Sequence, residues 1–283
     1  MRDLCILGAG YVGSAVARRA RDAWRVQSYT RSGSTPGESH GQQDDDAVLR
    51  GSAVLDAAWV ASVATPNADV LVAFPPDDET DERVAPALSA ARSVIYVSTT
   101  GVYGRTSGHV DEVTPVDREL PRAASRLRAE DAYRAIGATV LRCAGIYGRD
   151  RGIHVRIAKG EFRMPGDGTN VVSRIHVDDL AEIIVRLFDR GIRNEVFVVG
   201  DDTPVPQIEA IAWICDRLRI PLPPRATLDD VSETLRHDRR VDNARIKRAV
   251  AYALRYPSYR EGFDVPSQPA RTPPSRPPPR PTR

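Results

Sequence analysis

Short apolar runs alternate along the chain with longer segments in which apolar residues recur at helical spacing. The runs predicted as strands are 4–7, 24–30, 53–56, 68–74, 93–104, 138–143 and 195–199. The segments predicted as helices are 15–20, 77–92, 117–136, 180–188, 204–218 and 239–253. Strands without polar alternation are typical of a parallel sheet that helices cover on both faces. Because crossovers between parallel strands are right-handed, this order predicts an α/β fold with a doubly wound parallel sheet.

Three glycines directly after the first predicted strand have the spacing of a phosphate-binding turn. Gly8 permits a tight turn, Gly10 leaves no side chain between the backbone and a diphosphate, and Gly13 lets the next helix pack closely on the strand. The N–H groups at the start of that helix, at Tyr11 and Val12, then face the anion. The turn therefore predicts a dinucleotide site, and a glycine-rich turn without a ligand is the plainer alternative.

Residues after the later strands extend this prediction to the rest of the dinucleotide. In such units an acidic residue after the second strand binds the ribose 2′-hydroxyl, whereas a basic residue accommodates a 2′-phosphate. Arg31 stands there with no acid beside it, which favours NADP and leaves NAD open, since a loop arginine is also ordinary surface charge. Asp56 is placed to contact the adenine. Phe74 and Pro75 are expected to form the wall beside the dinucleotide.

Composition and charge exclude several classes of partner. The 283 residues carry 40 basic and 38 acidic side chains, so a net charge of +2 gives no argument for nucleic acid or for a membrane surface. No apolar run is long enough to span a bilayer. The three cysteines are far apart and the five histidines show no metal-ligand spacing, which indicates buried free thiols, no metal and a reducing cytoplasm. The expected partner is a small-molecule substrate.

Five motifs make the chain similar to a known superfamily. They are GAGYVG at 8–13, VSTTGVYG at 97–104, LRCAGIYG at 141–148, RIHVDDLA at 174–181 and YPSYREG at 256–262. In this order they resemble the short-chain dehydrogenase/reductase superfamily, in particular its extended and atypical branches related to sugar-nucleotide epimerases and dehydratases. The resemblance implies NAD(P) binding and a smaller C-terminal lobe that caps the substrate.

The resemblance also implies a substrate site at the end of the fifth strand. Thr99 matches the hydroxyl that polarises the substrate oxygen, and Thr100 beside it is expected to contact the substrate. The family's proton donor, a Tyr-x-x-x-Lys pair, falls on Arg122 and Arg126. A guanidinium stays protonated above pH of about 12, so Arg122 cannot exchange the tyrosine's proton. The two arginines lie one helical turn apart and are expected to hold a phosphate, a carboxylate or the cofactor's ribose.

Three further residues near strand ends complete the predicted site. Tyr103 and Tyr147 are the candidates for a substitute proton donor, and packing of their rings against the loops of the lobe is the alternative. Arg142, within LRCAGIYG, is expected to contact the substrate.

Other departures from the family pattern narrow the chemistry. The Asp-Glu pair of the 4,6-dehydratases is replaced by Thr100 and Gly101, which offer no acid or base. The asparagine that often contacts the substrate is Gly145, and Leu7 stands where most extended members have another glycine. The chain is thus most similar to atypical members of the bacterial YeeZ-like group, in which the active-site tyrosine is often absent.

The domain prediction follows from where the alternation of strands and helices is lost. The dinucleotide-binding domain, the substrate-capping lobe and a tail that cannot bury a core are predicted at 1–148 with 174–200, at 149–173 with 201–264, and at 265–283. By resemblance, His176 and Asp178 are expected to tie the two lobes together through hydrogen bonds. A homodimer is compatible with the sequence.

The sequence is compatible with two alternative functions. The first is an NADP-dependent oxidoreductase or epimerase that acts on a small or nucleotide-linked carbonyl or alcohol without the usual Tyr-Lys pair. The second is a catalytically inactive dinucleotide-binding sensor or regulator, which the loss of the tyrosine favours.

Overall fold

The computed structural model describes residues 1–30, 48–52, 57–76, 78–227, 230 and 236–265. The strands are β1 Arg2–Leu7, β2 Trp24–Thr30, β3 Val48–Ser52, β4 Ala68–Val72, β5 Ser93–Thr99, β6 Gly108–Val110, β7 Thr139–Cys143, β8 Gly145–Tyr147, β9 Met164–Pro165, β10 Val171–Val172, β11 Arg174–His176, β12 Val196–Val199, β13 Val205–Pro206, β14 Arg225–Ala226 and β15 Arg239–Val241. The helices are α1 Tyr11–Ala20, α2 Ala57–Val63, α3 Asp78–Ala87, α4 Pro121–Ala135, α5 Ile153–Ala158, α6 Val177–Arg190, α7 Gln207–Leu218, α8 Ala244–Val250 and α9 Tyr259–Gly262, with a 3₁₀ turn at Thr100–Tyr103.

Seven strands form one parallel sheet in the order β12-β7-β5-β4-β1-β2-β3. The chain starts at β1, proceeds to one edge through β2 and β3, and then returns to β4 on the other side of β1. The strand order therefore reverses between β1 and β4, which confirms the predicted doubly wound α/β fold. In sheets of this kind ligands bind in the crevice at the carboxyl ends of the strands, where the order reverses.

Both faces of this sheet are buried, and successive side chains alternate between them. On β1, Leu4 and Ile6 pack in a cluster with α1 and α6. Cys5 and Leu7 pack in the cluster on the other face, with α2, α3 and α4. Because full burial of a side chain the size of leucine stabilises a fold by about 1.5–3 kcal/mol, an unbroken apolar run is what this central strand requires.

A separate apolar cluster lies in the C-terminal part of the chain. It joins α5, α7 and α9 around side chains such as Ile157, Ile211 and Phe263. α8 falls within the range predicted for the capping lobe, yet its Ile246 and Val250 pack in the core of the large sheet. The range 201–264 therefore contains segments that pack on two different cores.

Several element bounds differ from those predicted, and three of the differences concern β3, α4 and the segment at Arg239. β3 lies at Val48–Ser52, ahead of 53–56, which falls outside the described residues. α4 begins at Pro121 instead of 117, because the Asp117 carboxylate accepts the N–H groups of two later residues and forms a turn before the helix. Arg239–Val241 is a strand paired with β6, so the helix predicted from 239 begins only at Ala244.

The predicted buried free thiols are confirmed at Cys5, Cys143 and Cys215. Of the helices in the described ranges, none combines the length and the apolar character needed to cross a bilayer. The described residues also contain no group of three His, Cys, Asp or Glu side chains that could hold a metal ion.

Candidate active site

The turn between β1 and α1 depends on two of its glycines for its own packing. Gly8 has φ +105°, and a Cβ there would lie 2.7 Å from the backbone of Ala73 and Phe74. A Cβ on Gly13 would meet the carbonyl oxygen of Gly8. The turn, the end of β4 and the first turn of α1 are therefore packed backbone to backbone, as the spacing of the glycines predicts.

The middle glycine has a different environment. Apart from its neighbours in the chain, no atom of the described residues lies within 4 Å of where a Cβ on Gly10 would be, so this side of the turn is open with respect to them. Gly10 immediately precedes α1, whose first N–H groups carry partial positive charge that favours an anion. The residues present thus fit a dinucleotide, with Gly10 as the point where a diphosphate approaches the backbone.

A first cavity of about 520 Å³ extends from this turn along the carboxyl ends of β4, β5 and β7. Residues around β10 and β15 of the C-terminal part close its other side. The predicted site residues that line it are Gly10, Tyr11, Val12, Phe74, Pro75, Thr99, Thr100 and Arg126. Gly8 and Gly13 shape the turn without lining the cavity, while Arg31 and Asp56 lie outside the described residues.

A second cavity of about 580 Å³ adjoins the first one. Both are lined by Pro75, Thr99, Gly101, Arg126, His237 and Arg239. The second cavity continues along the first turns of α4, where Arg122 and Ser125 line it. Thr99 therefore lies where the candidate dinucleotide site meets the space in front of α4.

The hydroxyl of Thr99 is positioned as a hydrogen-bond donor. Thr99 is the last residue of β5, and its Oγ1 accepts the N–H of Gly101 at 3.1 Å, which caps the short 3₁₀ turn. Since this bond uses a lone pair of the oxygen, the hydroxyl hydrogen stays free to be donated. This is the role that the resemblance implies for Thr99 toward a substrate oxygen.

Arg126 is anchored at the same edge of the sheet. Its Nη1 donates to the hydroxyl of Tyr96 at 2.8 Å and to the carbonyl oxygen of Val97 at 3.5 Å. Arg122, one helical turn earlier, is exposed at the second cavity. The structure therefore places both arginines in the region where the family has its tyrosine and lysine.

Tyr103 and Tyr147 do not line either cavity. The hydroxyl of Tyr103 donates to the backbone oxygen of Asp111 at 2.6 Å, and that of Tyr147 donates to the backbone oxygen of Ser258 at 3.4 Å. The Tyr147 ring packs edge-on against Phe263. This arrangement matches the packing alternative for both residues and gives no support to a proton-donor role.

The pKa values of the two tyrosines also argue against a proton-donor role. Burial raises the pKa of Tyr103 above its ordinary value despite the hydrogen bond from Arg142. Burial also raises the pKa of Tyr147, and the nearby Asp201 carboxylate adds to that shift. The family tyrosine works with a pKa brought toward neutrality, so both shifts are opposite to what proton exchange requires.

Arg142, expected as a substrate contact, is a buried structural residue. Its guanidinium forms a two-pronged pair with the Glu130 carboxylate, with Nη2 at 2.8 Å and Nε at 3.1 Å from Oε2. Ser98 donates to the same carboxylate, and Arg142 also reaches the Tyr103 hydroxyl. Neither cavity is lined by Arg142, because its donors all face this internal network.

The expected link between the lobes is made by the predicted His176 and Asp178, which both contact Tyr256, and the neighbouring Asp179 adds to it. His176 caps α6 by accepting the N–H of Asp178 on Nδ1, and its ring lies 3.8 Å from that of Tyr256. The buried carboxylate of Asp179, not that of Asp178, accepts the Tyr252 hydroxyl at 2.7 Å and two backbone N–H groups. Ile183 is buried one turn later, so the helical period was the signal that could have selected Asp179.

Two further cations that were not among the predicted site residues line the cavities. Arg151 lines the first cavity near the glycine turn, with its guanidinium 5.0 Å from the centre of the Tyr11 ring. Arg239 was predicted in a helix; its Nε and Nη1 donate to the carbonyl oxygens of Thr106 and Thr100, and Nη2 donates to that of Gly104. Arg239 thereby fixes the loop that follows Thr99.

One cysteine also lies at the first cavity. Burial raises the pKa of the Cys143 thiol to about 12. The thiolate form that reacts as a nucleophile is therefore almost absent at neutral pH, and Cys143 serves as packing.

Comparison with known families agrees with this geometry. The family model described as the NAD dependent epimerase/dehydratase family matches residues 4–200, which includes the glycine turn, Thr99 and the first turns of α4. The chain belongs to this family, so the resemblance noted from the motifs is confirmed. A nicotinamide dinucleotide is accordingly its cofactor.

Individual relatives add to this assignment. A 3-diazoavenalumate denitrifying reductase from a Streptomyces species is 27% identical over 169 residues, which are 55% of this chain and 55% of that protein. The match thus spans about half the length of that reductase. Together with the family, it places the chain among NAD(P)-dependent oxidoreductase- and epimerase-like proteins.

Solved structures show the same fold over almost the whole chain. A conserved protein of unknown function from Silicibacter pomeroyi is 30% identical, with a TM-score of 0.71 over 93% of this chain and 96% of that one. The dTDP-glucose 4,6-dehydratase of Bacillus anthracis, solved with NAD, is 17% identical, with a TM-score of 0.77 over 93% and 94% of the two chains. At that identity the second comparison bears on the fold alone.

Proposed function

We propose that the protein is an NADP-dependent oxidoreductase that acts on a small or nucleotide-linked carbonyl or alcohol without a Tyr-Lys pair. The observation that carries this proposal is the first cavity, which connects the open side of Gly10 with the donor hydroxyl of Thr99. The residues that would hold a dinucleotide at the glycine turn therefore share one cavity with Thr99.

Different residues of the first cavity hold different parts of the cofactor. A bound nicotinamide dinucleotide supplies or accepts a hydride at the substrate carbon. The N–H groups of Tyr11 and Val12 at the start of α1 bind its diphosphate, and Gly10 allows the close approach. Phe74 and Pro75 form the apolar wall that keeps water from one side of the cofactor.

The substrate oxygen requires a hydrogen-bond donor and, in the direction of reduction, a proton. Thr99 donates its hydroxyl hydrogen to this oxygen, and the Arg126 cation stabilises the negative charge that develops there. In the direction of reduction the bound cofactor would supply the hydride, and the oxygen would take its proton from a water molecule, which leaves as hydroxide. Neither step needs a tyrosine, although the loss of a positioned general acid removes about 10²–10⁴-fold in rate.

The choice of cofactor rests on Arg31, which follows β2 directly in the sequence. A fluorescence titration with NADPH and NADH tests it. We expect tighter binding of NADPH, and we expect Arg31→Ala to reduce NADPH affinity to that of NADH. Equal or tighter binding of NADH by the wild-type chain would overturn the preference for NADP.

Turnover is tested by the change in NADPH absorbance with a panel of aldehydes, ketones and nucleotide sugars. We expect oxidation of NADPH by at least one class and its loss in Thr99→Val. Thr99→Ser keeps the hydroxyl and is the matched control, for which activity should persist.

A dinucleotide-binding sensor is the second candidate, and a specific observation favours it. The family's proton donor is replaced by Arg122, and the two nearest substitute tyrosines have their hydroxyls bound to backbone oxygens away from the cavities. Tight NADPH binding without turnover on the whole panel would support the sensor over the enzyme.

A further inference from the structure

We propose that the second cavity binds an anionic group of the substrate, a carboxylate or a phosphate, through Arg122 and Arg126. The proposal rests on the proposed function, since it specifies the substrate as an anionic carbonyl or alcohol compound whose reacting oxygen lies at Thr99. Anion binding itself can be measured without turnover.

The geometry gives the two arginines a common target. They are four residues apart on α4, which places them on the same face of the helix one turn apart, and both line the second cavity. Thr99 lines this cavity too. An anion held between the guanidinium groups therefore belongs to a molecule that also extends to the Thr99 hydroxyl.

The described residues that line the second cavity carry charge of one sign. Arg122, Arg126 and Arg239 line it, and no aspartate or glutamate is found among its described lining residues. The first turns of α4 add the partial positive charge of a helix N-terminus. Positive charge in a concave site with few screening partners attracts anions and raises their local concentration.

Arg126 has donors to spare for a ligand. Its hydrogen bonds to Tyr96 and Val97 both come from Nη1, and Nε and Nη2 make no hydrogen bond to any described residue. The bond to the buried Tyr96 anchors the guanidinium at β5. A fixed guanidinium loses less conformational entropy when a carboxylate or phosphate binds to it.

Arg122 lacks even such an anchor. Within the part of the chain that the structure describes, its side chain forms no ion pair and no hydrogen bond, and it is exposed at the mouth of the cavity. Arg142 is the opposite case, since its guanidinium is buried and bound to Glu130. An arginine without a protein partner beside a cavity is suited to a ligand, whereas Arg142 is suited to the scaffold.

Calorimetric titration with simple anions tests the proposal. The probes are benzoate, phenyl phosphate and neutral benzamide, each titrated into the protein alone and into its NADP⁺ complex at fixed ionic strength. We expect at least one of the two anions to bind at millimolar concentrations and benzamide to bind more weakly. The stronger of the two anions identifies the group as carboxylate or phosphate.

Matched variants separate the site from general charge effects. Arg122→Gln should weaken the preferred anion by about tenfold, the loss of one charge-assisted pair. Arg126→Gln should weaken it at least as much. Arg134→Gln, at an exposed arginine of the same helix that lines neither cavity, should bind as the wild type does. Because Arg122 is exposed, its variant is expected to keep the wild-type melting temperature.

The proposal is overturned if neither anion binds better than benzamide, or if Arg122→Gln binds the anions as tightly as Arg134→Gln does. A parallel NADPH titration keeps this result apart from the proposed function. If the wild type binds the anion but no nicotinamide nucleotide, the oxidoreductase proposal fails and the anion site stands. If NADPH binds and neither anion binds, the proposed anion site fails and the oxidoreductase proposal stands.

Discussion

The glycine turn and the face of α4 lie at the same edge of the sheet, and they follow the family pattern to very different degrees. At the turn, Gly8 and Gly13 are packed against backbone atoms and Gly10 is open, as a dinucleotide site requires. On α4, the positions of the family's tyrosine and lysine carry Arg122 and Arg126. The glycine turn therefore keeps the residues of the family pattern, whereas the face of α4 carries different side chains.

The difference reflects two kinds of physical constraint. A glycine whose Cβ would meet backbone cannot be replaced without moving a strand or a helix. A side chain that points into a cavity can change its chemistry without disturbing the core, as exposed Arg122 illustrates. The contrast between Arg122 and buried Arg142 adds that residue type alone does not assign a role, because burial and partners decide it.

The largest expected effect distinguishes Arg142, which stabilises the fold, from Arg122, which we propose binds a ligand. Arg142→Met leaves the Glu130 carboxylate buried without its cation, which should lower the free energy of unfolding by about 3–5 kcal/mol. Arg122→Met should change it by less than about 0.5 kcal/mol, because the side chain is exposed. Urea denaturation followed by circular dichroism measures both. Similar losses in the two variants would contradict the assignment of Arg142 to the scaffold.

A pH dependence of stability should also come from a buried carboxyl group outside the two cavities. Burial raises the pKa of Asp201 to about 7, and Arg174 opposes the shift only in part. Because the unfolded chain ionises Asp201 near its ordinary pKa, the folded state binds more protons between pH of about 4 and 7. The stability contributed by protonated Asp201 is therefore present below this window and lost as the pH rises through it.

The size of this loss is on the order of 4 kcal/mol. Denaturation curves at several pH values test it against Asp201→Asn, a neutral residue of the same shape that should remove this part of the decline. A wild-type decline that persists unchanged in Asp201→Asn would assign it to other groups.

The glycine turn offers the next effect in size. Gly10→Ala adds a methyl group into open space, so the protein without cofactor should keep its melting temperature. The same methyl group stands where the diphosphate approaches, which should weaken NADPH by about 100-fold, or about 2.7 kcal/mol. Gly13→Ala should lower the melting temperature as well, since its Cβ meets the Gly8 carbonyl. Unchanged NADPH affinity in Gly10→Ala would remove the turn from the cofactor site.

The fold was predictable from the sequence because its signals are local. The apolar runs give the strands, and the glycine spacing gives the turn that joins β1 to α1. Where prediction failed, a distant partner decided the structure. The segment Arg239–Val241 is predicted as helix from its own sequence, but pairing with β6 makes it a strand. Hydrogen bonds to carbonyl oxygens around Thr100 then fix the position of the Arg239 side chain.

The candidate site was predictable only in part for the same reason. Thr99 follows from its place at the end of β5, and Arg122 follows from the family's motif. That Arg142 is internal depends on Glu130, twelve residues earlier on another element, and no spacing rule links the two. The direction in which the Tyr147 ring points is decided by Phe263 and Ser258, which lie far along the chain.

The smallest expected effect is also the strongest test of the contrast between the glycine turn and the face of α4. Tyr147→Phe removes one hydrogen bond to a backbone oxygen, and Tyr103→Phe removes one such bond and the bond from Arg142. Each lost bond should cost about 1 kcal/mol of stability. Since neither hydroxyl faces a cavity, NADPH affinity and any turnover should stay at the wild-type level. A loss of turnover above tenfold in one variant, with cofactor affinity and folding intact, would make that tyrosine a proton donor. The face of α4 would then have kept the family's chemistry by moving it to another element.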